Sequence, residues 1–465
     1  SLPPVVVEPP LSQTTDPAEA ITGDTIPRDT MPIAEKASHF VAREREMAQL
    51  ETHLTGALNG TGRIVFIAGE AGYGKTTLMA EFARHALADY PDLIVAGSSC
   101  DAYGGIGNPY LPFREFMALL TGDLEITGRA GLLTRDQARR LWAFLPYSTQ
   151  ALVDLGPDLV GIFVSGTSLL QRALAHPAVA GACQAQLQTI TQRSAQPGDV
   201  RQRKLFEQFV QVLRSLANRQ PLLLLLDDLQ WIDGASANLL LHLAQRLRGS
   251  RILLLGTYRR SEVEFEARSG SASGRQAEAH PLTPLLQELK RTYGDIEIDL
   301  GQLTPATGRS FVDALLDSEP NQLTESFRAA LFQQTRGHPL FTVELLRDMQ
   351  ERGALVQDSQ GRWRQGHAVD WKALPARVEA VIRLRIGRLP AALQEALKIA
   401  SVEGETFTAE VIAHILGTDG WDIVQQLSGV ADRGHRLVTG QGSRRLGDQL
   451  LSRYRFVHIL SLIHI

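Results

Sequence analysis

Cysteine is nearly absent from this chain of 465 residues, with Cys100 and Cys183 the only two. Two thiols cannot build a secreted disulfide framework, so a reducing cytoplasm is the expected compartment. An excess of one charge is missing as well. Lys and Arg number 47 against 51 for Asp and Glu, a formal charge of -4, so there is no wholesale electrostatic coat for nucleic acid or membrane. Long apolar runs are also lacking. The stretch from Leu159 to Leu170 is broken by Gly161, Ser165, Gly166 and Thr167 and falls short of the ~18 residues of a membrane span. Residues 1–10 have neither the basic start nor the apolar centre of a secretory signal. No repeat of about 20–50 residues is visible, which argues against a solenoid. What is present is 44% hydrophobic and 21% charged residues, too apolar for general disorder, over a length that allows about three domains.

Residues 1–37 are rich in Pro, Thr, Asp and Glu without a sustained period and read as a disordered linker. Order is expected from Phe40-Val41, followed by a helix over 43–58 with Met47, Leu50 and Leu54 at helical spacing. Short apolar runs at 63–68, 93–96, 222–226 and 252–255 read as buried parallel strands, and the alternation from Ile296 to Leu300 as an edge strand. Between Lys204 and Leu216, residues Leu205, Phe206, Phe209, Val210, Leu213 and Leu216 form one apolar stripe. Strand and helix in alternation predict an α/β fold, a parallel sheet with helices on both faces. Residues 122–200 show no convincing strand and read as a helical insertion. Residues 261–280 read as an exposed loop, and the chain beyond Leu300 as mainly helical.

The sharpest signal is Gly69-Glu70-Ala71-Gly72-Tyr73-Gly74-Lys75-Thr76-Thr77, a phosphate-loop pattern placed after one predicted strand and before a helix. Glycines let backbone N–H groups point inward around phosphates, and the helix N-terminus adds a favourable dipole. Lys75 is then placed for the β- and γ-phosphates of ATP or ADP and the Thr76 hydroxyl for Mg²⁺. The run 222–226 ends in Asp227-Asp228. There Asp227 would hold the metal and Asp228 would orient or deprotonate the attacking water. Asp233 reads as a helix cap and Trp231 as core, as does Cys100, which has no partner at metal spacing. The next strand ends in Thr257-Tyr258-Arg259-Arg260, and Arg259 is the guanidinium expected to face a γ-phosphate.

Phe40-Val41-Ala42-Arg43-Glu44, GEAGYGKTT, LLLLLDDLQWID and LLLGTYR together resemble the signal-transduction ATPases with numerous domains. The chain looks most like the large bacterial regulators that join such an ATPase to sensory repeats and an output domain. The resemblance implies a P-loop NTPase core over 38–300, a helical lid over 301–370, and a winged-helix domain, incomplete, over 371–465. It places Arg43 near the adenine. Pro339, in Gly337-His338-Pro339, would pack on the adenine from the lid, and His458 would sense the β-phosphate of ADP. Ala42 departs from the glycine usual before that arginine, and Gln230 stands where relatives carry histidine; it is assigned no role.

The implied activity is slow, Mg²⁺-dependent hydrolysis of ATP by a molecular switch, closed with ADP and open with ATP, that self-associates when open. The implied partners are ATP, a further copy of the chain, and a signal or protein met through domains outside this sequence. Two other readings stay open: a nucleotide-bound scaffold that never hydrolyses, and a regulator that binds DNA through its winged helix. Arg377, Arg383, Arg385, Arg388, Arg433, Arg436, Arg444, Arg445, Arg453 and Arg455 could meet DNA phosphates or acids of the same chain. The resemblance implies the second, so DNA binding by this segment is not expected.

Overall fold

The computed structural model describes residues 40–100, 109–123, 135–192, 202–269, 280–301, 304–366, 371, 378–434, 437–446 and 449–456. The 1–37 linker, Leu374-Pro375 and His458 lie outside the described residues. Five parallel strands, β1 (Arg63–Ala68), β2 (Ile94–Ser99), β3 (Leu222–Asp227), β4 (Ile252–Tyr258) and β5 (Glu297–Asp299), form one sheet in the order β2-β3-β4-β1-β5. The runs of branched and leucine side chains are buried on both faces. Ile64 and Phe66 point into one core cluster while Val65 and Ile67 point into another, as the period of two requires. β2 and β4 each extend three residues past the predicted run, because the ladder with the neighbouring strands continues through Gly97, Ser98 and Thr257. β5, the expected edge strand, pairs only with β1.

The predicted helical insertion consists, among the described residues, of helices Arg135–Leu155, Gly166–Ala175 and Gly181–Gln192. Leu141, Phe144, Leu152, Leu169 and Leu187 join the same apolar cluster as Phe113, Phe209 and the sheet. Its first helix also covers the β2 edge, where Gln137 Nε2 donates to the Val95 carbonyl at 2.7 Å. The predicted loop from Ser261 is corrected. Residues Arg260–Ser269 form a helix, anchored where Val263 enters the core.

Beyond the sheet come helices Pro305–Asp317, Glu325–Thr335 and Pro339–Glu351, with a small hairpin of β6 (Leu355–Gln357) and β7 (Trp363–Gln365). They share a core around Val312, Leu331 and Leu345. A last cluster runs from Ile382 to Phe456. It holds helices Ala391–Glu403, Ala409–Leu416 and Gly420–Gln426 against an antiparallel sheet of β8 (Thr406–Thr408), β10 (Gln449–Phe456) and β9 (Val438–Leu446), in that order. Helix Val378–Gly387 leads into this part. Among the described residues no helix is long and apolar enough to cross a membrane.

Candidate nucleotide site

Strand order brings the predicted residues together. β4 lies between β1 and β3, so the loop after β1, the acids after β3 and the arginine after β4 all open at the same edge of the sheet. The loop runs from Gly69 into helix Lys75–Asp89, with Gly72 and Gly74 in the left-handed region (φ 80° and 81°). The Lys75 ammonium turns back to donate to the Glu70 carbonyl at 2.9 Å, across the space the loop encloses. Burial, and then the nearby Arg259, lower the pKa of Lys75. Ala71, Tyr73, Thr76 and Thr77 complete the loop and the first helical turn. The Glu70 carboxylate points away, accepting from the Ser261 backbone N–H (3.1 Å) and hydroxyl (2.5 Å).

Asp227 is buried and joins three elements. Its Oδ2 accepts from the Thr76 hydroxyl at 2.8 Å, and its Oδ1 accepts from the Thr257 hydroxyl and, at 3.1 Å, from the Asp228 N–H. Asp228 turns the chain with φ 55°, the conformation short acidic side chains tolerate best among non-glycines. Burial, and then the neighbouring Asp228, push the Asp227 carboxyl up to about 6. Burial and a like charge both disfavour the ionised form of Asp227. Among the described residues no cluster of three or more His, Cys, Asp or Glu could hold a metal by itself. The donors present, one carboxylate and one hydroxyl beside a phosphate loop, fit a Mg²⁺ that takes its remaining ligands from phosphate and water.

Gln230, given no role from sequence, is part of this site. Its Nε2 donates to Asp228 Oδ1 at 2.8 Å and its Oε1 accepts from the Arg259 backbone N–H at 3.1 Å. Its own carbonyl accepts from buried His280 Nε2 at 2.8 Å, while His280 Nδ1 accepts from the Leu282 N–H at 3.0 Å. Asp233 caps the following helix through the Ser236 N–H at 2.9 Å, as expected, and Trp231 packs on the core. The Arg259 guanidinium pairs with Glu262 at 2.7 Å and lies close enough to Lys75 to depress its pKa.

Two predicted residues approach the loop from outside it. Arg43 reaches the Tyr73 carbonyl at 3.3 Å and pairs with Glu46 at 2.9 Å. Ala42, where a glycine was noted as usual, has φ 57° and so occupies a conformation that favours glycine. Pro339 opens helix Pro339–Glu351, and the next N–H, of Leu340, donates to the Gly72 carbonyl at 3.1 Å. A Cβ on Gly72 would come within 2.7 Å of Leu340 Cβ and 2.8 Å of His338 Cε1, so only glycine permits this approach. His338 also meets Tyr73 edge-on, ring centres 4.8 Å apart. Arg455, on β10, lies in electrostatic reach of Asp227 and Asp228 and is held by Glu405 (Nε to Oε1 2.7 Å).

Residues 39–255, just under half of the chain, match the AAA ATPase domain family. Over that stretch the chain is similar to that family, and its parallel sheet with the loop after β1 has the α/β fold of a P-loop NTPase. Among curated proteins nothing matches. Solved structures with a similar course include a Signal Transduction ATPase with Numerous Domains protein with a tetratricopeptide repeat sensor from Pyrococcus horikoshii. It is 15% identical with a TM-score of 0.42, and the match covers 94% of this chain and 43% of that one. The ORC1 protein of Aeropyrum pernix in complex with DNA is 13% identical with a TM-score of 0.36, covering 92% and 93%. Drosophila ORC bound to DNA is 12% identical with a TM-score of 0.33, covering 98% and 95%. The chain spans less than half the length of the Pyrococcus protein.

Proposed function

We propose that the AAA-type P-loop NTPase domain of this chain is the engine of a signal-transduction ATPase with numerous domains, a switch that binds Mg²⁺-ATP and hydrolyses it slowly. One observation carries the reading: the Thr76 hydroxyl bonded to Asp227, which joins the phosphate loop to the acidic strand across β4. We read 38–300 as the ATPase core, 301–370 as the lid and 371–465 as a winged helix. The loop amides and Lys75 bind the phosphates, and Thr76 with Asp227 would hold Mg²⁺, which when bound neutralises charge on the phosphate oxygens. Gln230 fixes one oxygen of Asp228, so the other can take the proton of an attacking water. Arg259 meets negative charge growing on the transferred phosphate. Arg43 and Pro339 border the base.

The lid touches the loop directly through Leu340 and Gly72, so the lid's position depends on what the loop holds. With ADP the lid and the C-terminal part stay closed. With ATP they open, and the chain self-associates and passes the signal to domains outside this sequence. The soluble interior of the cell is the compartment proposed. The reading is tested by equilibrium binding and single-turnover hydrolysis on two variants. Lys75→Ala should abolish tight nucleotide binding, and unchanged affinity would remove the loop from the site. Asp228→Asn should spare binding and slow turnover by about 100-fold. Undetectable turnover in the parent chain would make it a nucleotide-bound scaffold.

A further inference from the structure

Arg259 stands at a join between two elements. It follows β4 and immediately precedes helix Arg260–Ser269, and its carbonyl accepts from the Val263 N–H at 3.3 Å. A residue in that place usually caps the helix with a short polar side chain, which accepts from the N–H two or three positions on. Arginine carries only donors and cannot do so. Here the acceptor comes from the phosphate loop. The Glu70 carboxylate takes the Ser261 N–H at 3.1 Å through one oxygen and the Ser261 hydroxyl at 2.5 Å through the other. Ser261 lies two positions beyond Arg259, so Glu70 satisfies the N–H that a serine or asparagine at 259 would have taken itself.

The main chain around Arg259 is therefore held from two sides. Its N–H donates to Gln230 Oε1 at 3.1 Å, and the same Gln230 holds Asp228 at 2.8 Å. The turn that follows it is held by Glu70. The pairing of its guanidinium with Glu262 does not locate it, because Glu262 belongs to the same helix and moves with it. Glu70 has a second tie, since its carbonyl accepts from the Lys75 ammonium at 2.9 Å. One residue thus meets the phosphate-binding lysine through its main chain and the arginine-bearing element through its side chain.

We propose that Glu70 is a positioning residue for Arg259: its carboxylate supplies the cap that an arginine cannot, and so fixes the point from which the guanidinium reaches a third phosphate. The proposal deepens the reading of the loop as an ATP site and rests on it. It makes Glu70 a determinant of which nucleotide is held. ADP offers no γ-phosphate for Arg259 to meet, so loss of the tie weakens a triphosphate more than a diphosphate. A displacement of about 1 Å at a positioned group is enough to cost up to about 100-fold.

The experiment measures, on the full chain with Mg²⁺, the affinities for a non-hydrolysable ATP analogue and for ADP, and takes their ratio. General damage to the loop lowers both affinities together, whereas a misplaced Arg259 lowers the ratio. Glu70→Ala should reduce the preference for the analogue about 10-fold. Glu70→Gln keeps an acceptor for the Ser261 N–H and should retain most of the preference. Ser261→Ala loses only the hydroxyl bond and should fall between them. In an Arg259→Ala background, Glu70→Ala should leave the ratio where Arg259→Ala alone puts it. A parent-like ratio in Glu70→Ala overturns the proposal, and so does a further fall in the Arg259→Ala background. If Glu70→Ala does not fold, Ser261→Ala decides by the same two criteria. Failure of the parent chain to bind either nucleotide overturns the nucleotide reading itself, and the proposal with it.

Discussion

Helix Pro339–Glu351 buries Glu344 and Asp348 as deeply as β3 buries Asp227, yet the two places are neutralised differently. On the helix, every deep carboxylate has an arginine of this chain against it. Arg385, itself 1% exposed, pairs with Glu344 and, at 3.0 Å, with Glu351; Arg347 reaches Glu344 at 2.8 Å and Arg388 reaches Asp348 at 2.7 Å. At β3, Asp227 receives two hydroxyls and one amide in contact, and its pKa is pushed up. Compensated charge fixes one element to another. Charge left short is what receives a ligand, and the comparison separates a joint from a binding site by that criterion.

Arg385→Leu leaves Glu344 buried with less countercharge and should cost about 3–5 kcal/mol, read as a lower midpoint in urea unfolding. An effect under about 1 kcal/mol would mean that water enters the joint.

A middle-sized test sharpens the other side. Between the unfolded value near 3.8 and the folded value of about 6, the native chain binds the extra proton at Asp227, so this group's contribution to stability falls as pH rises through that window. Asp227→Asn should therefore stabilise the metal-free chain at pH 7 by roughly 1–3 kcal/mol and flatten its melting temperature between about pH 4 and 6.5. Equal pH slopes in parent and variant would show that Asp227 is already compensated like the acids of the joint.

The smallest test concerns neither charge. Ala42 sits with φ 57° beside Arg43, and Ala42→Gly should stabilise by about 1 kcal/mol, seen as a small rise in melting temperature, with Arg43 left in place. A destabilised variant would mean that the alanine methyl, which packs against the core around Val312, Leu331 and Leu345, outweighs the backbone strain.

The parts of this comparison that could be read in the sequence are those with a local cause. The strands announced themselves as short apolar runs, the loop by its glycines, and the cap of Asp233 by its place before a helix. The stripe from Leu205 to Leu216 is buried as its spacing requires. Gln230 was invisible because its role depends on Asp228 and on the end of β4, brought beside it only by parallel pairing. Arg385 and Arg455 were legible as partners for acids of the same chain but not for which acids, because a period of 3.6 or 2 says which side of an element a residue occupies, not what docks on that side. The helix at Arg260–Ser269 was missed for a related reason: its polar composition lacks a stripe, and it is anchored by Val263.

Helix Val378–Gly387 places neighbouring residues in different interiors: Val381 belongs to the core around Val312, Leu331 and Leu345, and Ile382 to the core of the C-terminal part. Successive helical residues point about 100° apart, so one rod is gripped on two flanks. Movement of helices Pro305–Asp317, Glu325–Thr335 and Pro339–Glu351 is therefore expected to carry the C-terminal sheet with it unless one of the two grips is given up.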